Sequence, residues 1–283
     1  MEAAARENEG AGVERLADWC AGHARLAVLT GAGCSTDSGI PDYRDAEGSW
    51  KRKPPVQQRD FVMSHAVRQR YWARSLLGWR HFSRAEPNRA HRALARLEAA
   101  GRAQHLVTQN VDGLHQRAGS RAVTDLHGRL DEVLCLHCGT RKARAAFQAE
   151  LETHNHEWCA LSASHAPDGD ADLEGRDFSA FDVPACSACG GVMKPAVVFF
   201  GAAIPAEQTR AALAAVEQAD ALLVVGSSLM VWSGYRLVRA AAEAAKPVAA
   251  VNLGRTRADA LLEFKLEAPC GDALSQMTTR LGL

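Results

Sequence analysis

Four short stretches of this chain gather side chains able to do chemistry. Cys135-Leu-His-Cys138 and Cys186-Ser-Ala-Cys189 supply four thiolates in two Cys-x-x-Cys pairs, the donor set of a tetrahedral zinc site. Such a set is coordinatively closed and leaves no position for water, so its ion would hold structure together and take no part in catalysis. Upstream, the apolar Leu106-Val107-Thr108 runs into Gln109-Asn110-Val111-Asp112-Gly113-Leu114-His115, followed by Asp125-Leu126-His127-Gly128. Polar groups at a strand's carboxyl end sit where open α/β sheets bind ligands. Among 11 histidines, His127 is the candidate general base, because imidazole titrates near working pH and because it follows the polar strand end. His154, His156 and His165 lie in a polar stretch and read as solvated.

The other two stretches suit an anion and its neighbours. Gly31-Ala32-Gly33-Cys34-Ser35-Thr36 has the small residues that let backbone N–H groups approach a diphosphate at a helix start. An ordinary tight strand-to-helix turn explains that stretch equally well, since Thr36 stands where the dinucleotide fingerprint has its third glycine. Gly39-Ile40-Pro41-Asp42-Tyr43-Arg44 then adds a carboxylate able to accept from a carboxamide and a guanidinium able to grip phosphate; the alternative is a surface loop with a salt bridge. Gly226-Ser227-Ser228 combines close approach with hydroxyl donors.

These groups need a scaffold. Short apolar runs at Leu26–Thr30, His105–Thr108, Val197–Phe200, Ala221–Gly226 and Val248–Asn252 alternate with helical patterns such as Asn88–Ala100, stopped by Gly101, and Pro205–Ala219. The pattern predicts a Rossmann-like, doubly wound parallel α/β sheet over residues 1–51, 88–127 and 194–283. Two stretches interrupt it, the polar loop Glu47–Pro55 leading into a helix and the segment Cys135–Cys189, which shows no strand of its own beyond its ends, and they set 52–87 and 128–193 apart from the sheet. They are expected to form a smaller helical and zinc-binding lobe.

Composition limits the function. Lys+Arg and Asp+Glu both number 33, so no global field would gather nucleic acid or an anionic membrane. No apolar stretch approaches the roughly 18 residues of a membrane span. The opening MEAAARENEG is neither a secretory leader nor a transit peptide, so a cytoplasmic protein is expected. In a reducing compartment, two separated Cys-x-x-Cys pairs favour metal over disulfides or redox chemistry. Oligomeric state is not readable, and a monomer is compatible with everything above.

Taken in order, GAGCSTDSGIPDYR, TQNVDGLH, LHG, the two Cys-x-x-Cys pairs, VVFFG, VVGSSL and VNLG resemble the sirtuin family over nearly the whole chain. DFV, RQRYWAR and GSSLMVWSGYR resemble its class II, the branch that includes sirtuin 4. The resemblance implies an NAD⁺-consuming enzyme that transfers the acyl group of a lysine to ADP-ribose and releases nicotinamide. It implies that Ile40, Asp42, Asn110 and Asp112 form a nicotinamide pocket, that Gln109 and His127 meet the ribose, and that His127 is the base. Gly31, Ala32, Gly33, Ser35, Thr36, Gly39, Pro41, Tyr43, Arg44, Val111, Gly226, Ser227 and Ser228 would complete the cofactor's surroundings, with Asn252, Leu253, Gly254 and Cys270 near adenosine.

By the same resemblance, an acylated peptide would lie extended between Val198-Phe199-Phe200-Gly201 and the stretch from Met230 to Ser233, touching Val231 and Trp232. Ala202 stands where an acidic residue is usual. Tyr71 and Arg74, at helical i,i+3 spacing, resemble the pair that holds a carboxylated acyl chain in desuccinylating sirtuins. That implies a preference for carboxylated or longer acyl groups over acetyl; packing for Tyr71 and solvation for Arg74 explain the pair as well. The 47 residues between Cys138 and Cys186 exceed the usual spacing, and the segment 151–183 is expected to fold toward the acyl pocket. Rival readings are a protein ADP-ribosyltransferase using the same pocket, and a non-catalytic NAD⁺-sensing scaffold.

Overall fold

The structure is a computed structural model. It describes residues 2–51, 55–161, 170–173 and 175–283, with side chains from Gly10 onward. In chain order the elements are α1 (Glu2–Gly22), β1 (Leu26–Thr30), α2 (Gln58–Met63), α3 (His65–Phe82), α4 (Arg89–Ala99), β2 (Ala103–Thr108), α5 (Leu114–Arg117), β3 (Val123–Asp125), β4 (Gly128–Cys135), β5 (Arg141–Ala143), α6 (Arg144–His154), α7 (His156–Cys159), β6 (Met193–Val197), α8 (Ala206–Gln218), β7 (Ala221–Val225), α9 (Trp232–Glu243), β8 (Val248–Val251), β9 (Phe264–Leu266) and α10 (Cys270–Arg280), with two 3₁₀ turns after β1 and one before β9.

Six parallel strands form the main sheet in the order β3-β2-β1-β7-β8-β9. Period-two alternation sends their side chains to two different cores. Leu26, Val28, Ala221, Leu223, Val225, Ala249 and Val251 enter the core beneath α1, α4 and α10. Ala27, Leu29, Leu222, Val224, Val248 and Ala250 enter the core beneath α8 and α9. Because both faces are covered, these strands read as continuous apolar runs in the sequence.

Helix α4 shows why the helical segments were legible. Ala90, Ala93, Leu94 and Leu97 are buried along one stripe, and each leucine contributes about 2 kcal/mol by burial. Asn88 caps the helix by accepting from the backbone of Ala90 and His91, while His91 Nδ1 accepts from the Asn88 N–H. Gly101 follows with φ +72°, the left-handed conformation that ends helices.

Two expectations are corrected. Val197–Phe200 is not a strand of the main sheet: the strand is Met193–Val197, and β6 pairs antiparallel with β4 in a separate three-stranded sheet ordered β5-β4-β6. The segment Cys135–Cys189 is also not strandless between its ends, since β5 lies within it, followed by the helices α6 and α7. Both errors arise because these elements are short and packed on one face only, which gives weak periodicity.

The second sheet and α3 enclose an aromatic core of Phe61, Tyr71, Trp72, Phe147, Phe181 and Phe199. Arg144 is fully buried in this lobe. Its guanidinium bonds Gln148 and the Ser75 carbonyl and hydroxyl and lies over the rings of Trp72 and Trp79, and burial lowers its pKa to about 10. Residues 168 and 169 of the Asp-Gly-Asp stretch lie outside the described residues, but Ala171, Leu173 and Phe181 pack into this same core. No helix among the described residues is long and apolar enough to cross a membrane.

Candidate active site

At the carboxyl ends of β1, β2 and β7 the strand order reverses direction around β1, which opens a crevice between the diverging loops. The Gly31–Ser35 turn is stitched to β7 there: Gly31 N–H donates to Val225 O at 3.1 Å and Gly33 N–H to Gly226 O at 2.8 Å. A Cβ at Gly31 would stand 2.8 Å from Ser227 Cβ. Gly226, at φ +61°, has no room for a side chain against the backbone of Gly33 and Cys34. Both glycines are therefore demanded by close backbone approach.

The polar end of β2 bonds into that turn. Asn110 Nδ2 donates to Gly31 O and to Ser35 Oγ, each at 3.0 Å, and Ser35 Oγ donates to Asp112 Oδ2 at 2.8 Å. Asp112 also accepts from the Leu114 N–H at 2.9 Å. Burial raises the Asp112 pKa, while these donors and Arg129 lower it in part. Gln109 Oε1 accepts from Ser227 Oγ at 2.6 Å, which ties β2 to β7.

His127, at the junction of β3 and β4, completes the ring of polar groups. Its Nδ1 lies 2.9 Å from the Gln109 carbonyl and its Nε2 2.8 Å from Ser233 Oγ. A carbonyl only accepts, so Nδ1 carries the proton and Nε2 keeps its lone pair. Burial lowers the imidazole pKa, with the Gln109 bond opposing it, so the ring is neutral near pH 7. Gly234 lets α9 come this close: a Cβ there would meet Gln109 Nε2 at 2.6 Å.

Residues 31–233 match the Sir2 family. The chain belongs to the Sir2 family. An NAD-dependent protein deacetylase of Bordetella bronchiseptica is 58% identical over 94% of this chain and 97% of its own. NAD-dependent protein deacetylase 2 of Bradyrhizobium diazoefficiens is 61% identical over 93% of this chain and 96% of its own. Among solved structures, a Sir2 complex with a p53 peptide and NAD⁺ superposes with a TM-score of 0.77 at 29% identity, covering 95% of this chain and 98% of that one. Sir2 bound to an acetylated peptide gives 0.76 at 29% identity, with the same coverage.

In this Sir2 family member the four cysteines come together as a cluster suited to a structural zinc. Cys135 and Cys189 sulfurs are 3.5 Å apart and Cys138 and Cys186 sulfurs 3.8 Å; a tetrahedron with Zn–S bonds of about 2.3 Å has edges of about 3.8 Å. The Thr140 hydroxyl and N–H hold the Cys138 thiol down to about 6, which favours the ligating thiolate.

Not every predicted residue joins the central network. Asp42 forms a salt bridge with Lys51. Arg44 donates to Gly48 O at 2.6 Å and lies over Trp50, with Tyr43 edge-on to the same indole. Thr36 folds back on Gly33 O, and Ile40 is buried with Phe82 and Leu114, Val111 packing alongside. Asn252 bonds Leu253 O and Gly254 O. Gly254 sits at φ +78° against Ala46, so the loop after β8 reaches the 45–50 loop. Cys270 starts α10 and points at Val251 O.

In the stretch predicted to flank a peptide, Val198 N–H donates to His127 O at 2.8 Å, and Phe200 O accepts from Gln58 N–H at 2.8 Å. Gly201 has φ +80°. Trp232 is half exposed, flanked by Arg239 and Arg257. Phe199 is buried against Phe61 and Tyr71, with Lys194 over its ring. Arg74 is not solvated: it pairs with Asp170 at 3.1 Å and donates to Ala171 O at 2.8 Å. Sequence reasoning missed Ser233 as the partner of His127, and Asp170 as the partner of Arg74; spacing carries no signal for pairs separated by most of a lobe.

Proposed function

We propose that this chain is an NAD⁺-dependent protein lysine deacylase. The observation that carries the reading is the convergence of Asn110, Asp112, Ser35, Gln109 and His127 in one hydrogen-bonded crevice, together with relatives named NAD-dependent protein deacetylases. NAD⁺ bound there would offer the anomeric carbon of its nicotinamide ribose to the acyl oxygen of a lysine. Asn110 and Asp112, with Ile40 and Asp42, would hold the carboxamide end. The turn from Gly31 to Thr36, with Gly39 to Arg44 and Gly226 to Ser228, would surround the diphosphate, and Asn252, Leu253, Gly254 and Cys270 the adenosine.

His127 Nε2 accepts the proton of a ribose hydroxyl, exchanging its Ser233 bond for that one, while Gln109 O keeps Nδ1 protonated and the ring oriented. Gln109 addresses the same sugar. The peptide would lie between Val198–Gly201 and Val231–Trp232, and the protein would work in the cytoplasm.

We place the chain in class II on the RQRYWAR and GSSLMVWSGYR stretches, and infer that it takes acyl groups longer than acetyl or carboxylated ones. The apolar wall of Phe61, Tyr71 and Phe199 suits length. For a carboxylated chain, Arg74 would exchange the Asp170 carboxylate for that of the substrate.

The test is mass spectrometry of an acetyl-lysine peptide incubated with NAD⁺ and the protein. Free lysine, nicotinamide and O-acetyl-ADP-ribose in equal amounts are expected, all formed at least about a hundredfold more slowly by His127→Ala. A protein or peptide heavier by ADP-ribose would instead favour a transferase.

A further inference from the structure

Immediately behind the Gly31–Ser35 turn lies a set of side chains that the proposed reaction does not use. Cys34, His91 and His115 each place one donor atom within 4.8 Å of the other two, and all three are at most 1% exposed. The two imidazole rings face each other at 4.7 Å between centroids, tilted by 56°.

Their hydrogen bonds differ. His91 Nδ1 accepts from the Asn88 N–H at 3.2 Å, which leaves Nε2 protonated and 3.4 Å from Ser35 Oγ. Thr30 Oγ1 donates to Thr108 Oγ1 at 2.8 Å and meets His115 Nε2 at 2.9 Å. The Thr30 hydroxyl proton is thus committed, so His115 donates from Nε2 and its Nδ1 holds a lone pair. That Nδ1 has no partner among the described residues. Burial drives the His115 pKa well below 6.5, so the lone pair is present at every physiological pH.

A buried imidazole with an unpartnered nitrogen, clustered with a buried thiol, is a soft two-donor set. We propose that Cys34 and His115 form a binding site for a soft monovalent d¹⁰ cation, Cu⁺, with the His91 ring closing the third side. Charge selects the ion: Cu⁺ with one thiolate and one neutral imidazole is neutral overall and tolerates a dry pocket, whereas Zn²⁺ would leave a net charge there and wants four ligands. On binding, the Cu–S bond forms as the Cys34 thiol proton leaves to solvent through the crevice. The Cys34 pKa is held high by burial, then by Cys270, Asp112 and Asp37. The negative charge of the two carboxylates, which discourages a thiolate alone, favours one that carries a cation.

The site also bears on the proposed activity, on which this second consequence depends. Cys34 precedes Ser35, whose hydroxyl bridges Asn110 and Asp112. Drawing Cys34 toward His115 would pull Ser35 from that bridge and weaken the nicotinamide pocket, so Cu⁺ would inhibit.

The experiment titrates the zinc-loaded protein with Cu⁺ buffered by a chromophoric Cu⁺ chelator, under reductant and without oxygen, and measures copper uptake and zinc release together. One equivalent of Cu⁺ taken up without zinc release is expected, lost in Cys34→Val, which keeps the bulk, and weakened at least tenfold in His115→Gln. Circular dichroism confirms that both variants are folded. Copper uptake matched by zinc release, or uptake unchanged in Cys34→Val, overturns the site. In an activity arm, Cu⁺ should slow the zinc-loaded wild-type protein relative to its own copper-free rate and leave Cys34→Val unaffected; uptake without inhibition would keep the site and refute only the link to Ser35.

Discussion

His127 Nε2 lies 2.8 Å from the hydroxyl of Ser233, which joins the junction of β3 and β4 to the first turn of α9 across the mouth of the crevice. The bond occupies the one lone pair through which the imidazole can act as a base, and it holds the ring in the tautomer that the Gln109 carbonyl requires. Ser233 therefore positions the base, and a substrate hydroxyl must take its place. Ser233→Ala should lower kcat by less than tenfold, whereas His127→Ala should lower it by about 10²- to 10⁴-fold, the usual worth of a general base. Steady-state kinetics on an acetyl-lysine peptide separates the two roles.

The same imidazole sets the acid limb of the rate profile. His127 works only when neutral, and burial puts its pKa below the ordinary 6.5. Activity should hold as pH falls from 8 through 6.5 and decline only below that. A limb centred above 6.5 in a kcat/KM profile would assign the base to another group.

Stability should fall over an overlapping range for a different reason. His91 is buried, and desolvation lowers its pKa to about 4; His115 shifts the same way, by burial and then by His91. A folded-state pKa below the unfolded value means that the unfolded chain binds more protons between the two. The stabilisation is then complete above pH 6.5 and is lost as pH falls toward 4, by about 3 kcal/mol for His91 alone at 1.4 kcal/mol per unit. Urea denaturation from pH 7.5 to 4.5 should show this slope, and His91→Gln should flatten part of it.

Zinc removal tests the small lobe. The four thiolates join β4 to the loop before β6, and structural zinc contributes about 10 kcal/mol in small domains. Chelation, or Cys186→Ser, should release one zinc, expose the tryptophans of the aromatic core to quenchers and abolish turnover. The parallel sheet should keep its circular dichroism. Full activity in zinc-free protein would contradict a structural ion.

For the acyl pocket, the Arg74–Asp170 pair is largely buried, with side chains 22% and 11% exposed. Asp170→Asn removes the competing carboxylate and should raise the ratio of succinyl to acetyl turnover several-fold; Arg74→Ala should lower it. Breaking such a pair costs about 3 kcal/mol, so Tm must be followed alongside. An unchanged ratio in both variants would mean that the pair only fastens the insertion to α3.

Much of this site was legible because its residues lie on strand ends. In β1, β7 and β8 both faces are buried, so the sequence shows plain apolar runs, and Gly31, Gly226 and Asn252 follow them directly. The four cysteines were equally plain, since zinc ligation constrains spacing. What escaped was decided by folding at long range: Ser233 meets His127 across 106 positions, and Arg74 meets Asp170 across the lobe. The edge strands β3 and β9 were missed for another reason, having only three residues each, too few for a periodicity.

A crystal structure with NAD⁺ and an unreactive acyl-lysine analogue bears most directly on the proposed chemistry. His127 Nε2 should lie about 3 Å from a hydroxyl of the nicotinamide ribose, released from Ser233, with the carboxamide against Asn110 and Asp112. A dinucleotide bound with that ribose beyond reach of the imidazole would contradict the assignment of His127 as the base.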